Sequence, residues 1–302
     1  MPIALAVIMA KRQTSMMRKL ASLIAAVMAT LSGSQPALAD APEEAVARYE
    51  AWQDANWLPA LALIPAGDAP PSPAGSRIGG PVWLPEGESW PLDAQGKRMT
   101  FLAQIDFAGM PALPDYPTSG VLQFFIGRDD LYGVNFEEPQ QGAFRVIYRE
   151  STSGAGRMET GPVTEGQRYV DDFSPLEPEF ARRGMALSAQ PIMHKPSVDS
   201  WQFGEQLGHE LDDAGHDAIY DHINASEDGL AGGWRVGGHP GYTQSDWRYD
   251  DKFRDVDRVL LQLWTSDGVL MWGDSGQGQF MIRREDLLKR DFSKAFYQWY
   301  CY

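Results

Sequence analysis

Two carboxylates offer the clearest prospect of chemistry. Asp246 follows Tyr242 and Gln244 and precedes Arg248, while Asp274 lies in Gly273-Asp274-Ser275-Gly276 directly after Trp272. Two carboxyl groups held in different environments can act as general acid and general base, and in glycoside hydrolysis they stand roughly 5–9.5 Å apart across a cleft. A strand pairing between the Leu260 and Val269 runs would leave both segments at sheet ends beside Gln262, where binding groups sit on a rigid scaffold. Tyr242, Gln244, Asp246, Arg248, Gln262, Trp272 and Asp274 are therefore the candidate ligand- or partner-binding residues. The competing explanation is that Asp246 and Gln262 satisfy buried backbone groups in irregular loops.

Gly273-Asp274-Ser275-Gly276 also has the form of a serine-protease nucleophile segment, but that chemistry needs a His base and an Asp orienter beside the serine. No Ala-Ala-His-Cys segment precedes it and Gln277 replaces the next glycine. It reads as a tight turn, with Gly273 and Gly276 relieving the backbone. His209, Glu210, Asp212, Asp213, His216, Asp217, Asp221 and His222 crowd into fourteen residues. Such groups can ligate divalent ions, but no pair has His-x3-His spacing and Asp-Asp-Ala-Gly is expected to break the helix, so a solvated acidic loop without metal is expected. Gly79-Gly80 and Gly237-Gly238 lack the G-x-G-x-x-G spacing of a dinucleotide site and read as turns, so no cofactor is expected. Trp83, Trp90, Trp234, Trp247, Trp264 and Trp272 fit core packing better than an aromatic cleft for a sugar or peptide. Cys301, the single cysteine, reads as a packing residue.

The elements that would position these residues follow from periodicity. Asp40 to Trp57 carries Glu43 and Glu44 in its first turn and Ala45, Val46, Tyr49 and Trp52 on one face, a helix with Asp40 as cap. Pro65 to Ser76 is rich in Pro and Gly and reads as a linker or surface loop. β-Branched and aromatic runs bounded by Gly, Pro and Asp predict strands over 78–84, 99–107, 121–126, 144–148, 235–236, 259–264, 269–272 and 279–282. Helical spacing over 176–183 and 198–212 predicts a helical insertion between Pro175 and Ser226, and a short helix begins near Arg284. Segregated strands and helices indicate an α+β fold with an extensive, mostly antiparallel sheet.

A faint repeat adds a further expectation. Arg77-Ile-Gly-Gly-Pro81 matches Arg235-Val-Gly-Gly-His239, and Ala103-Gln-Ile-Asp106 matches Leu261-Gln-Leu-Trp264, both at an offset of 158; Gly120-Val-Leu-Gln-Phe124 resembles Gly268-Val-Leu-Met-Trp272 at 148. Two related halves, about 76–174 and 227–302, would place Gln104 and Gln262 in equivalent strands.

Residues 1–39 hold Lys11, Arg12, Arg18 and Lys19 and no acidic residue, then twelve uncharged residues from Leu20 to Leu31 and an Ala37-Leu38-Ala39 site. That is a secretory signal peptide, too short to span a bilayer, with Met1, Met16 or Met17 as its start. Cleavage after Ala39 leaves 22 basic against 41 acidic residues, a formal charge of −19, in a periplasmic or secreted monomer. Nucleic acid and anionic membrane are excluded as partners, because both are bound by Lys and Arg neutralising phosphates. A basic partner remains compatible with this charge.

Trp234-Arg-Val-Gly-Gly-His-Pro-Gly-Tyr-Thr-Gln-Ser-Asp246, Leu260-Leu-Gln-Leu263, Met271-Trp-Gly-Asp-Ser-Gly276 and Gln279-Phe-Met-Ile282 occur in that order. Gly79-Gly-Pro-Val-Trp83, Phe101-Leu-Ala-Gln-Ile-Asp106, Leu113-Pro114 and Gly120-Val-Leu-Gln-Phe-Phe125 precede them. This order resembles the YwqG-like family, also called DUF1963, from about Ser76 to Tyr302. The resemblance implies an α+β fold with extensive antiparallel sheet and no established biochemical activity. Some relatives look like accessory or immunity-type proteins near secreted toxins, and members mostly lack a signal peptide, a point on which this chain departs. The expectation is a binding or protein-interaction protein, taking another protein or a small polar ligand. The alternative is a carboxylate-dependent hydrolase of carbohydrate or peptide.

Overall fold

The computed structural model describes residues 41–68, 72–165, 172–225 and 233–301, so the proposed signal peptide lies outside the described residues. Two compact units divide them. The smaller combines 41–49, the first part of helix α1 (Pro42–Ala55), with 210–225, which contains helix α4 (Asp213–Ala225). Ala45 and Tyr49 are buried, Arg48 pairs with Glu210, and Gly215 lies so close to Ala45 that a Cβ there would meet it at 3.3 Å. The acidic stretch read as a loop is thus helical from Asp213. Asp212 Oδ1 accepts the Gly215 amide at 2.8 Å, so Asp-Asp-Ala-Gly starts the helix instead of breaking it.

The larger unit is built on a ten-stranded sheet whose described pairings are all antiparallel. At its centre β1 (Leu58–Asp68) pairs with β8 (Met185–His194). On the β1 side follow β9 (Trp234–Gly237), β10 (Arg258–Trp264), β11 (Gln277–Ile282) and β12 (Phe296–Tyr300). On the β8 side follow β2 (Arg77–Ile78), β4 (Thr100–Asp106), β5 (Val121–Ile126) and β6 (Phe144–Arg149). A separate ribbon pairs β3 (Pro81–Pro85) with β7 (Gly156–Thr160). The ends of the large sheet approach each other, nearly closing it into a barrel. Phe144 of β6 lies 5.5 Å from Tyr297 of β12, whose amide donates to Pro139 O at 3.0 Å. Inside, Phe280 packs against Phe124 at 4.9 Å and Tyr297 at 4.6 Å.

Three expectations are corrected. The segment 65–76 is not linker throughout, because β1 runs to Asp68. The region between Pro175 and Ser226 is not wholly helical: besides α2 (Pro178–Arg183) and α3 (Trp201–Gln206) it supplies β8, half of the central ribbon. Val269 to Trp272 is not a strand. The chain crosses sideways there, with Met271 N on Pro175 O and Glu177 N on Val269 O, and delivers Leu270 and Trp272 into the core. The partner of β10 is instead β11, with Gln262 opposite Gln279, as Gln104 of β4 lies opposite Gln123 of β5.

The Gly-Gly turns have a steric cause. Gly237 and Gly238 have φ of +76° and +71°, and a Cβ on Gly238 would lie 2.8 Å from His194 Cβ. Gly79 and Gly80 also have positive φ, at +59° and +77°. Both turns come with a short strand that carries a buried arginine, Arg77 of β2 or Arg235 of β9.

Candidate functional site

The candidate residues separate into an exposed rim and a buried layer. At the rim, Thr243 Oγ1 and Gln244 Nε2 donate to the Cys301 carbonyl at 3.2 and 2.9 Å. Burial pushes the Cys301 thiol pKa up, and a hydrogen bond to Asp274 adds to the shift. Gln244 and Asp274 are both exposed and both meet Cys301, the residue before last. Gly273 has φ +53°, Ser275 φ +92°, and Gly276 N donates to Trp272 O at 2.8 Å, a turn as its sequence implies.

Asp246 lies beneath this rim, 1% exposed. Its Oδ1 accepts from Arg248 N at 2.9 Å and Arg248 Nε at 3.0 Å, and its Oδ2 accepts from Arg248 Nη2 at 2.8 Å and Trp201 N at 3.1 Å. It caps the 3₁₀ turn Trp247–Tyr249 and also sits on the first amide of α3. With four hydrogen bonds from the protein, both oxygens are engaged and no proton-transfer partner has a place. Asp246 and Asp274 are therefore not an accessible acid–base pair. Tyr242 is buried near Asp246, with the Arg248 guanidinium 5.9 Å from its ring, and burial raises its phenol pKa well above the ordinary value. Trp272 is no part of a surface: it is wholly inside the core, edge-on to Tyr132 and stacked on Trp299.

Gln262 belongs to a row that single-residue reading missed. Arg235, Gln262, Gln279 and Gln298 lie opposite one another on four neighbouring strands, and all are buried. On the other side of the sheet Arg77, Gln104 and Gln123 form the same row. The available signal was polar residues at alternate positions in otherwise apolar strands, as at Gln277 and Gln279. In the row that starts at Arg77 the amides are satisfied. Gln104 Nε2 donates to Pro73 O and Gly75 O, while Gln123 donates to Trp83 O and Gln104 Oε1 and accepts from Arg149 Nε at 2.8 Å. In the row that starts at Arg235, Gln262 Oε1 accepts from Arg235 Nη2 at 2.7 Å and Gly241 N at 3.0 Å, and beside the row Gln277 Nε2 donates to Gly241 O. Among the described residues, neither polar atom of the Gln279 side chain has a partner.

This contrast yields a test. Gln123→Leu removes the partners of Arg149 Nε and Gln104 Oε1, although Arg149 keeps Glu88, and should destabilise by about 1–3 kcal/mol, whereas Gln279→Leu removes a buried amide with no partner among the described residues and should be neutral or stabilising. Urea unfolding of the two variants reads the difference; equal losses would refute it.

A family model matches residues 76–301. The chain belongs to the family described as a domain of unknown function, DUF1963. No curated protein matches it. The DUF1963 region starts after β1, so the strand that joins β8 to β9 lies outside the matched residues. Among the described residues, no group of three or more His, Cys, Asp or Glu side chains could hold a metal ion, and no helix is long and apolar enough to cross a membrane.

Proposed function

We propose that this DUF1963 protein is an exported binding or protein-interaction protein, with the rim formed by Gln244, Asp274 and Cys301 as its contact surface. The observation that carries this reading is the saturation of Asp246, because a hydrolase working through Asp246 and Asp274 would need a carboxylate free to exchange protons. Export is supported by the basic, apolar and Ala-x-Ala order of residues 1–39, and the net negative charge favours a basic partner.

Two related halves belong to the same proposal. The Arg-Gln-Gln rows, the positive-φ Gly-Gly turns and a register shift at matching places, between Phe101 and Ala103 and between Val259 and Leu261, support it. In that reading Gln279, at an offset of 156, is the counterpart of Gln123.

The test is capture from periplasmic extract with the chain beginning at Asp40, the expected first residue of the exported form. A partner should be enriched reproducibly by the natural sequence and lost with Gln244→Ala or Asp274→Asn, with stability within about 0.5 kcal/mol of the parent. Equal capture by all three chains would remove the rim from the proposal.

A further inference from the structure

His194, the last residue of β8, and His239, two residues past β9, meet inside the larger unit with ring centroids 6.3 Å apart. Their partners fix their tautomers. His239 Nε2 lies 2.6 Å from the Asn56 carbonyl oxygen, which can only accept, so Nε2 carries the hydrogen. The His239 backbone N–H donates to His194 Nδ1 at 3.2 Å, so that nitrogen is unprotonated. The His239 carbonyl accepts from Arg235 Nη2 at 2.7 Å. A proton on His194 Nδ1 would remove the acceptor for the His239 amide, and a proton on either ring would set a second cation near Arg235.

The surroundings offer such a cation no compensation. The charged groups acting on the rings are all basic: Arg235 of β9 on both, and Arg248 and Arg258 on His239. Lys195, next to His194, is exposed and paired with Asp54. Burial first, then Arg235 and His239, hold His194 down to about 2. Burial is also the largest influence on His239, held down to about 4 although its bond to Asn56 opposes the shift.

The pair fastens one end of residues 239–245. The other end is fixed at Asp246 through Trp201 N and Arg248. Between these ends Gly241 covers the amide row, its N–H on Gln262 Oε1 and its carbonyl on Gln277 Nε2. The Cys301 carbonyl holds Thr243 and Gln244 through uncharged bonds. The histidine end is held by imidazoles, the side chains that ordinarily charge in mildly acidic solution.

We propose that the His194–His239 pair is an acid-released latch, and that mild acid frees the strap from His239 to Ser245 to lift off Gln262 and Gln277 about its anchor at Asp246. The closed form binds fewer protons than the open form, because both histidines are depressed below the ordinary 6.5. Closure is therefore fully stabilised above that pH and is lost progressively as pH falls from there toward 4. Two histidines that regain ordinary affinity on opening raise the open population about a thousandfold between pH 7.5 and 5, and one histidine raises it about thirtyfold.

Hydrogen exchange of the His239 and Gly241 amides in the chain beginning at Asp40, corrected for intrinsic rate, measures this opening directly. Exchange should rise about a thousandfold from pH 7.5 to 5 while the β4 and β5 amides keep their protection, and His194→Gln and His239→Gln should each reduce the rise to about thirtyfold. If either variant fails to fold, the natural sequence suffices: log opening against pH should approach a slope of two protons below pH 6.5. A flat profile, a variant rise equal to the parent's, or loss of protection across the whole sheet at once would overturn the latch.

Discussion

A chain beginning at Ser76, where the family match begins, should fail to give a cooperative thermal transition. What it lacks is β1, which pairs with β8 from Leu58↔His194 to Asp68↔Met185 and with β9 from Ala60↔Gly237 to Leu63↔Trp234. Without it β8 keeps only the two-residue pairing of Met185 and Ala186 with β2, and β9 keeps one register pair, Arg235↔Gln262. The sheet would part at its centre. Leu61 and Leu63 would also leave the core, at about 1.5–3 kcal/mol each, and the lost ladder bonds add about 0.5–1.5 kcal/mol apiece. Together these are as large as the roughly 5–15 kcal/mol by which a domain is stable. A chain beginning at Trp57 keeps β1 and should still melt cooperatively by circular dichroism. If both shortened chains unfold, helix α1 and not β1 is the critical element; if the Ser76 chain melts normally, the role given to β1 is wrong.

The strands that were legible in the sequence, β4, β5, β6, β9, β10 and β11, are those with a β-branched or aromatic run bounded by Gly, Pro or Asp. The central ribbon was illegible for a physical reason. Pro59 and Pro65 in β1 and Pro191 in β8 argue against strands inside a sheet, because proline has no ladder donor. In this fold β9 covers β1 only from Ala60 to Leu63, and β2 covers β8 only at Met185 and Ala186. Each of these prolines lies on a length with a single strand neighbour, where one edge needs no donor. Val269 to Trp272 misled in the opposite sense: an apolar run of four residues satisfies a strand pattern equally well when it supplies core side chains from a loop. For the site, the choice of Asp246 and Gln262 was informative about position but not about role. An aspartate two residues before Arg248 has the same sequence whether its carboxylate faces a cleft or caps Arg248 N, and only the burial of both side chains decides it. The histidine pair was hidden because His194 and His239 are 45 residues apart and meet only through the ribbon and the Gly-Gly turn.

Asp246→Ala should lower stability by about 3–5 kcal/mol, since it leaves the Arg248 guanidinium, 1% exposed, without its anion. At about 2–4 °C per kcal/mol for a domain of this size, the midpoint should fall by roughly 10 °C. The loss has several contributors: the bidentate pair, the cap on Arg248 N and the acceptor for Trp201 N. Asp246→Asn keeps one oxygen for those amides and should lose less. The double variant Asp246→Leu with Arg248→Met removes both charges, and much of the penalty should disappear, because the expense of a broken buried pair lies mainly in the charge left behind. Asp274→Asn, exposed at the rim, should stay within about 0.5 kcal/mol. Thermal unfolding of these four variants separates the two carboxylates. A stable Asp246→Ala protein would mean that the Asp246 carboxylate is dispensable to the fold and would return it to consideration as a functional group. A large loss at Asp246 with none at Asp274 places the first in the framework and leaves the second, with Gln244, as the residues through which the surface can act.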